Sequence, residues 1–300
     1  MIMENKANLK PLSGKIAVVA GATRGAGRGI AVMLGAAGAT VYCTGRSVRG
    51  GASDINRSET IDDTAEMVTA RGGIGIPVRC DHTQEEEVKA LFDRIAEEQQ
   101  GRLDLLVNDI WGGEQLTHWG TPFWEQPLGD ALLMQERAVK THLITSYYGA
   151  PLMIKRGGGL IIEITDGSTY NYRGNLYYSL AKIAPIHLAA AMAEELRSHN
   201  ITALAVTPGF LRSEQMLDHF GVGEDNWRDA VAQEPHYIES ETPYFVGQAV
   251  AALAGDPNVH EKSGRALTSW DLSDEYGFSD VDGRRPHWGN YAEKQGLPIN

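Results

Sequence analysis

Short apolar runs alternate along the chain with longer segments whose apolar residues recur at helical spacing. The first run, IAVVA at 16–20, leads through a glycine-rich turn into a helix-period segment, and ATVYC follows at 39–43. Strands separated by helices pair in parallel through right-handed crossovers. Continued along the chain, the pattern predicts seven strands, at 16–20, 39–43, 74–79, 103–107, 160–164, 201–206 and 265–269.

Helical periodicity fills the intervals, at 26–38, 61–71, 85–100, 129–156, 175–199 and 243–254. We therefore expect an α/β fold: a doubly wound, Rossmann-like sheet of seven mostly parallel strands with helices on both faces. No linker or repeat divides the chain, so residues 1–300 are interpreted as one domain with an irregular arm at 1–12 and a C-terminal extension at 271–300.

Two irregular segments, 110–127 and 207–235, follow strands at their carboxyl ends. Open parallel sheets bind ligands at that edge. These two segments are therefore expected to cover a binding site.

The charge balance narrows the classes of partner. The 39 acidic residues exceed the 27 basic ones, which gives a net charge of −12 that repels nucleic acid and anionic membrane surfaces. Two cysteines, Cys43 and Cys80, are too few for a disulfide framework and are expected to be buried free thiols. The first residues, MIMENKANLKPLSGK, contain no apolar leader stretch, which favours a cytoplasmic protein. No cluster of His, Cys and Asp has metal-ligand spacing, so no metal is expected.

A glycine-rich turn between the first strand and the first helix is the strongest local motif. Free amides and the positive end of the helix dipole at such a turn bind a diphosphate, and the glycines let the backbone approach it closely. This context predicts a dinucleotide site in a catalytic domain, with the binding turn formed by Gly21, Thr23, Arg24, Gly25, Ala26 and Gly27.

The residues after the second strand indicate which dinucleotide binds. Proteins that favour NAD usually have an acidic residue there to bind the ribose hydroxyls, whereas this strand is followed by Gly45, Arg46 and Ser47. Arg46 and Arg24 can both approach the additional phosphate of NADP(H). NADP(H) is therefore the expected cofactor.

A Tyr-x-x-x-Lys segment, Tyr178 to Lys182, lies on the helix after the fifth predicted strand, and its spacing puts both side chains on one face. With the glycine turn and Pro208-Gly209, the chain resembles the short-chain dehydrogenase/reductase superfamily over about residues 12–270. Within it, the altered serine position described below and the ending 280–284 look most like a divergent group related to dehydrogenase/reductase member 1.

The resemblance implies an NADP(H)-dependent oxidoreductase that interconverts a carbonyl and an alcohol on a small, moderately apolar molecule. Tyr178 would be the general acid or base, and Lys182 would hold the ribose and make the phenolate accessible near neutral pH. The remaining cofactor-binding positions implied by the resemblance are Asp81 at the adenine, Asn108 beside the adenosine ribose, and Pro208, Gly209 and Ser213 at the nicotinamide.

Two departures from the family pattern concern catalysis. The position of the catalytic serine is Asp166 in strand register, while Thr165 and Ser168 are alternative hydroxyl donors. Asp166 could be protonated and donate a hydrogen bond, or be ionised and pair with Lys182 or a cationic substrate, or only cap the turn before Gly167.

The second departure is at the relay asparagine, whose position holds Ala138. A cofactor-binding protein with little or no turnover is therefore the alternative function. The resemblance also implies a homodimer or homotetramer.

Overall fold

Seven parallel strands form one sheet in the computed structural model, which describes residues 10–51 and 56–298. The strand order is β3-β2-β1-β4-β5-β6-β7, so the chain reverses its direction of travel across the sheet between β1 and β4. The strands are β1 (Ile16–Ala20), β2 (Thr40–Gly45), β3 (Ile74–Arg79), β4 (Leu105–Asn108), β5 (Gly159–Ile164), β6 (Ile201–Thr207) and β7 (Ala266–Thr268).

Helices cover both faces of this sheet. They are α1 (Gly25–Ala36), α2 (Ile61–Ala70), α3 (Glu85–Glu98), α4 (Leu128–Gln135), α5 (Thr141–Arg156), α6 (Leu176–Leu196), α7 (Glu214–Phe220), α8 (Pro243–Gly255), α9 (Ser269–Tyr276) and α10 (Trp288–Gln295). Within the described part of the chain, none of these helices has the length and apolar character needed to cross a bilayer.

Alternation along the strands divides the core into two layers. In β1, Ala17 and Val19 pack against α1, α2 and α8, whereas Ile16 and Val18 pack against α3, α5 and α6. Successive side chains of a strand point to opposite faces, so a strand covered on both sides is apolar at every position. The continuous apolar runs of the sequence have this origin, and the α/β fold expected from them is confirmed.

Three segments differ from the sequence-based expectation. The helix expected at 129–156 contains a π-helical turn at Glu136–Lys140, which separates α4 from α5. The segment 207–235, expected to be irregular, contains α7 and a short 3₁₀ helix at Trp227–Ala232. The C-terminal extension contains α10, and Ser269–Tyr276 forms α9 at its start; residues 1–9 of the expected arm lie outside the described residues.

A buried polar cluster connects the central strands to α5. Glu163, the second-last residue of β5, is fully buried, and its Oε2 lies 2.5 Å from Nδ1 of His142. The Asn108 amide nitrogen donates to Oε1 of Glu163 at 2.7 Å and to the Ser146 hydroxyl at 2.9 Å. The other ring nitrogen of His142 lies 3.0 Å from the Ile110 carbonyl oxygen. The cluster therefore fixes the chain where it leaves β4.

Burial alone would lower the pKa of His142, but the charge and hydrogen bond of Glu163 raise it above the usual value. The folded state therefore binds the imidazole proton more tightly than the unfolded state does. The resulting stabilisation is complete below the unfolded-state pKa of about 6.5 and is lost as the pH rises through the raised pKa.

We expect Glu163→Gln to lower the free energy of unfolding by about 3 kcal/mol near pH 6, because it leaves a buried cation without its partner. The difference from the wild type should shrink as the pH rises, since the wild type alone loses the charge interaction. Urea denaturation followed by circular dichroism at several pH values measures both effects. An equal difference at every pH would contradict the charged pair.

Candidate active site

A cavity of about 650 Å³ opens at the carboxyl edge of the sheet, beside the ends of β1 and β4. Strand order reverses there, which leaves a crevice between the loops. Gly27 and Asn108 are buried behind its wall. The other residues expected to act in catalysis or cofactor binding line it: Gly21, Thr23, Arg24, Gly25, Ala26, Arg46, Asp81, Asp166, Tyr178, Lys182, Pro208, Gly209 and Ser213.

The glycine-rich turn brings backbone into close contact with backbone. Gly21 has φ +92°, and a Cβ there would lie 2.3 Å from the Asp109 carbonyl oxygen. A Cβ on Gly27 would lie 2.3 Å from the Gly21 carbonyl oxygen. Only glycine fits both positions, which explains why the first turn of α1 can open onto the cavity.

An internal carboxylate already contacts the exposed amides of this turn. The Gly25 N–H donates to Oε2 of Glu214 at 2.8 Å, and Oε1 of Glu214 lies 3.5 Å from the Arg28 guanidinium. Glu214 begins α7 in the loop above the cavity. The start of α1 therefore binds an anionic group in this structure, as its dipole favours.

Two arginines border the same end of the cavity. Arg24 is partly buried; its Nε and Nη2 have no hydrogen-bond partner, and Oε2 of Glu59 lies 3.7 Å from Nε. Arg46 follows β2 directly and also lines the cavity. The guanidinium of Arg24 is thus left with unused donors next to the anion-binding turn.

The Tyr178 phenol contacts Asp166 directly. The side chain of Asn175 caps the start of α6, which directs Tyr178 and Lys182 toward the end of β5. The Tyr178 hydroxyl donates to Oδ2 of Asp166 at 2.7 Å. Thr165 donates its hydroxyl to the Lys182 carbonyl oxygen, and Ser168 is not part of the cavity wall. Asp166 is thus the candidate whose side chain is seen in contact with the phenol.

This contact changes the expected electrostatics of Tyr178. Burial raises the pKa of Tyr178 well above its usual value, and the charge and hydrogen bond of Asp166 raise it further. Burial and Asp166 thus act on the pKa of Tyr178 in the direction opposite to the effect expected of Lys182, whose role in making the phenolate accessible stays a prediction. Tyr178 keeps its proton, because the nearest charged group is an anion at 2.7 Å.

Lys182 lies below the phenol, against an aromatic ring. Its ammonium is 3.8 Å from the centroid of Trp111 and 5.8 Å from that of Tyr178. Burial lowers the pKa of Lys182, while Asp166 and Asp109 oppose that change. Burial also raises the pKa of Asp109 to about 7. The ammonium thus lies among carboxylates and aromatic faces.

The position of the relay asparagine carries no polar side chain. Ala138 lies in the π-helical turn and packs against Met134 and Ala181. The preceding residue, Arg137, lines the cavity and donates to the Gly112 carbonyl oxygen at 3.2 Å. A side-chain relay through this position, as in the family pattern, cannot form here.

Sequence reasoning missed two supports of the Pro208-Gly209 loop. Glu241 is buried, and its Oε2 accepts from the Gly209 N–H at 2.9 Å and from the Ser269 hydroxyl at 2.6 Å. Burial raises the pKa of Glu241 to about 8. Trp288 of α10 packs beside Gly209 and lines the cavity. Trp288 is a large apolar residue in an otherwise polar C-terminal segment, and this could have indicated that the segment packs against the rest of the protein.

The geometry combines a proton-carrying phenol, a nearby ammonium and an anion-binding helix start in one cavity. Such a site can hold a dinucleotide and move a proton at a reacting centre beside it.

Comparison with known proteins places the chain in a family. A profile described as short chain dehydrogenase matches residues 15–220. Dehydrogenase/reductase SDR family member 1 of Mus musculus is 39% identical over 278 residues, covering 91% of this chain and 85% of that protein. The 7alpha-hydroxysteroid dehydrogenase of Escherichia coli (strain K12) is 33% identical over 215 residues, covering 71% of this chain and 77% of that protein.

A similar fold has been solved with ligands. A structure of 7 alpha-hydroxysteroid dehydrogenase, complexed with NADH and 7-oxo glycochenodeoxycholic acid, is 29% identical with a TM-score of 0.70 and covers 89% of this chain and 96% of that chain. Sequence, topology and the Tyr178–Lys182 pair agree: the protein is an oxidoreductase of the short-chain dehydrogenase family.

Proposed function

We propose that the protein is an NADP(H)-dependent oxidoreductase that interconverts a carbonyl and an alcohol on a small, moderately apolar molecule. The observation that carries the proposal is the Tyr178–Lys182 pair, which faces the same cavity as the anion-binding start of α1. A cytoplasmic location is part of the proposal, because Cys43 and Cys80 are both buried free thiols.

The residues around the cavity fit a dinucleotide phosphate. The Gly25 amide already binds a carboxylate, and Arg24 has buried donors without hydrogen-bond partners. Arg24 and Arg46 would hold the additional phosphate of NADP(H), since no carboxylate ends β2. Asp81 would contact the adenine, and Lys182 would bind the ribose hydroxyls.

When bound, the nicotinamide supplies or accepts the hydride. Tyr178 then supplies the proton in the reductive direction, because its raised pKa keeps the phenol protonated at neutral pH. Lys182 orients the ribose and offsets negative charge that develops on the phenol. Pro208, Gly209 and Ser213 would fix the nicotinamide face, with Glu241 holding the Gly209 amide from behind.

The alternative, a binding protein with little or no turnover, rests on the altered serine and asparagine positions. Those changes leave the phenol and the ammonium in the cavity, so the enzyme is the better supported function. The expected homodimer or homotetramer is also proposed. Exposed apolar side chains follow one side of α4 and α5 and would be covered in such an assembly: Leu128, Leu132, Leu143, Tyr147 and Ile154.

Arg46→Asp is expected to shift the ratio of NADP(H) to NAD(H) affinity by at least about tenfold toward NAD(H). The substitution removes a phosphate donor and adds an acceptor for the ribose hydroxyls. Isothermal titration calorimetry with both cofactors measures the ratio. Arg197→Asp, which makes the same charge change at an exposed, distant position, is the control. A ratio equal to that of the wild type would refute the assignment.

Tyr178→Phe is expected to lower the steady-state rate of carbonyl reduction by about 10²–10⁴-fold while leaving the affinity for NADPH unchanged. The matched control is Tyr177→Phe, which removes a hydroxyl that donates to the Phe123 carbonyl oxygen at 3.3 Å. Because the pKa of Tyr178 is raised, ionisation of the phenol itself should not limit the wild-type rate up to about pH 9. Similar rates in both variants would exclude Tyr178 as the proton donor.

Tyr147→Lys is expected to convert the assembly into monomers at micromolar concentration, because it places a charge within the proposed apolar contact. Light scattering coupled to size-exclusion chromatography measures the mass. Ile74→Lys makes the same kind of change on an exposed side chain at β3, on the opposite edge of the sheet, and should leave the mass unchanged. A monomeric wild type would contradict the assembly.

A further inference from the structure

Asp166, which contacts the Tyr178 phenol, differs from the serine of the family pattern in its capacity to donate a hydrogen bond. An ionised carboxylate only accepts hydrogen bonds, whereas a serine hydroxyl can donate one to a substrate oxygen. Oδ2 of Asp166 accepts the proton of the Tyr178 hydroxyl at 2.7 Å. With its proton directed at Asp166, the phenol oxygen also presents lone pairs to the cavity. Asp166 and Tyr178 thus offer hydrogen-bond acceptors to the substrate, whereas a carbonyl oxygen needs hydrogen-bond donors.

No neighbouring hydroxyl supplies the missing donor. The Thr165 hydroxyl is used on the Lys182 carbonyl oxygen and is almost fully buried. Ser168 lies outside the cavity wall. The donor lost at the serine position is therefore not replaced by either of the adjacent hydroxyl side chains.

The surroundings favour positive charge at this point. Glu114, which also lines the cavity, acts on Tyr178 in the same direction as Asp166 and raises its pKa. The Trp111 ring already holds one cation, the ammonium of Lys182, at 3.8 Å, and its edge packs against Tyr178. The charge of Arg173 interacts with Asp166 and lowers the pKa of Tyr178, but Arg173 is not part of the cavity wall. Carboxylates and aromatic faces are the groups that stabilise an organic cation.

We propose that the site takes a carbon–nitrogen double bond in preference to a carbon–oxygen double bond, with the protonated nitrogen donating to Asp166. The inference rests on the proposed hydride transfer and names the substrate class for that same site. A protonated imine is an N–H donor and a cation, so it complements both the acceptors and the charge that surround Tyr178.

The reaction balances with a reduced nicotinamide dinucleotide as the reductant. A C–H bond of the reduced nicotinamide would break and a C–H bond would form at the imine carbon, so that the nicotinamide loses two electrons and the carbon–nitrogen double bond gains them. The π pair of the carbon–nitrogen bond becomes the lone pair of an amine nitrogen. The proton on nitrogen is present from the start, held by Asp166, so Tyr178 does not have to release its own.

A matched substrate pair tests this preference. Dihydroisoquinoline carries the carbon–nitrogen double bond, and tetralone carries a carbonyl on a bicyclic frame of similar size. We expect kcat/KM with NADPH to be at least about tenfold higher for the imine, equal to about 1.4 kcal/mol of transition-state stabilisation. Asp166→Ser should reverse the order, because it restores a donor and removes the charge.

A binding measurement tests the same contact without turnover. Tetrahydroisoquinoline binds as a cation, and isochroman has the same shape with an oxygen in place of the nitrogen. Quenching of tryptophan fluorescence reports binding near Trp111. Asp166→Asn keeps the shape of the side chain, and we expect it to weaken the amine about tenfold and leave isochroman unchanged. Asp225→Asn, at an exposed position outside the cavity wall, is the matched control.

The outcomes separate this inference from the proposed function. Reduction of tetralone at least as efficient as that of the imine, with amine binding unaffected by Asp166→Asn, would overturn the nitrogen preference and leave the oxidoreductase standing. Retained ketone activity in Asp166→Asn together with lost activity in Asp166→Ala would instead identify Asp166 as a hydrogen-bond donor, and would also overturn it. Failure of NADPH to bind in calorimetry would remove the proposed function itself.

Discussion

The hydrogen bonds among Asn108, Glu163 and His142 hold together the elements from which the cavity is built. They connect the carboxyl ends of β4 and β5 to the start of α5, and the second ring nitrogen of His142 lies 3.0 Å from the Ile110 carbonyl oxygen. The loop that follows β4 carries Trp111, and β5 runs on into the turn with Asp166. Both walls of the site thus depend on one buried charge pair. Removal of either partner would leave the other as an uncompensated buried charge and destabilise the fold.

Charge placement gives this site a different character from the arrangement that the family resemblance implies. A cation beside a phenol favours its ionised form, whereas a carboxylate in contact with it favours the protonated form. In this protein the carboxylate of Asp166 is in contact with the phenol, and the ammonium of Lys182 lies over the Trp111 ring. Burial and Asp166 both raise the pKa of Tyr178, so the two effects reinforce each other. The protonated form of the phenol is therefore favoured by burial and by the Asp166 contact together.

Patterns that depend on local periodicity were predictable from the sequence. The bounds of β1 agree with the prediction, because a buried parallel strand is a continuous apolar run between turn residues. The bounds of β3 also agree, although this edge strand is exposed or half-buried along its length. The glycine turn and the Tyr178–Lys182 spacing were predictable for the same reason: each is defined by neighbours along the chain. Strand register together with the family resemblance named Asp166 at the serine position, with Thr165 and Ser168 left as alternatives.

Features that depend on distant partners were not predictable. In the sequence, Glu163 is a charged residue within an otherwise apolar strand. Its neighbours in sequence do not indicate that it pairs with His142, which lies 21 residues earlier. The direction in which the pKa of Tyr178 shifts depends on the 2.7 Å contact between its hydroxyl and Asp166. Strand register does not predict such a side-chain contact. Helix α10 is too short for its periodicity to stand out, yet it brings Trp288 to the cavity.

The carboxylate of Glu214 accepts a hydrogen bond at the anion-binding turn of α1, so any other anion at that amide must compete with it. A diphosphate that uses the Gly25 amide has to displace an anion that the chain itself provides, and that anion belongs to the first turn of α7. Met216, on the same helix, lines the cavity. An anion bound at the Gly25 amide in place of Glu214 would therefore free α7, and Met216 with it, from this contact with the start of α1.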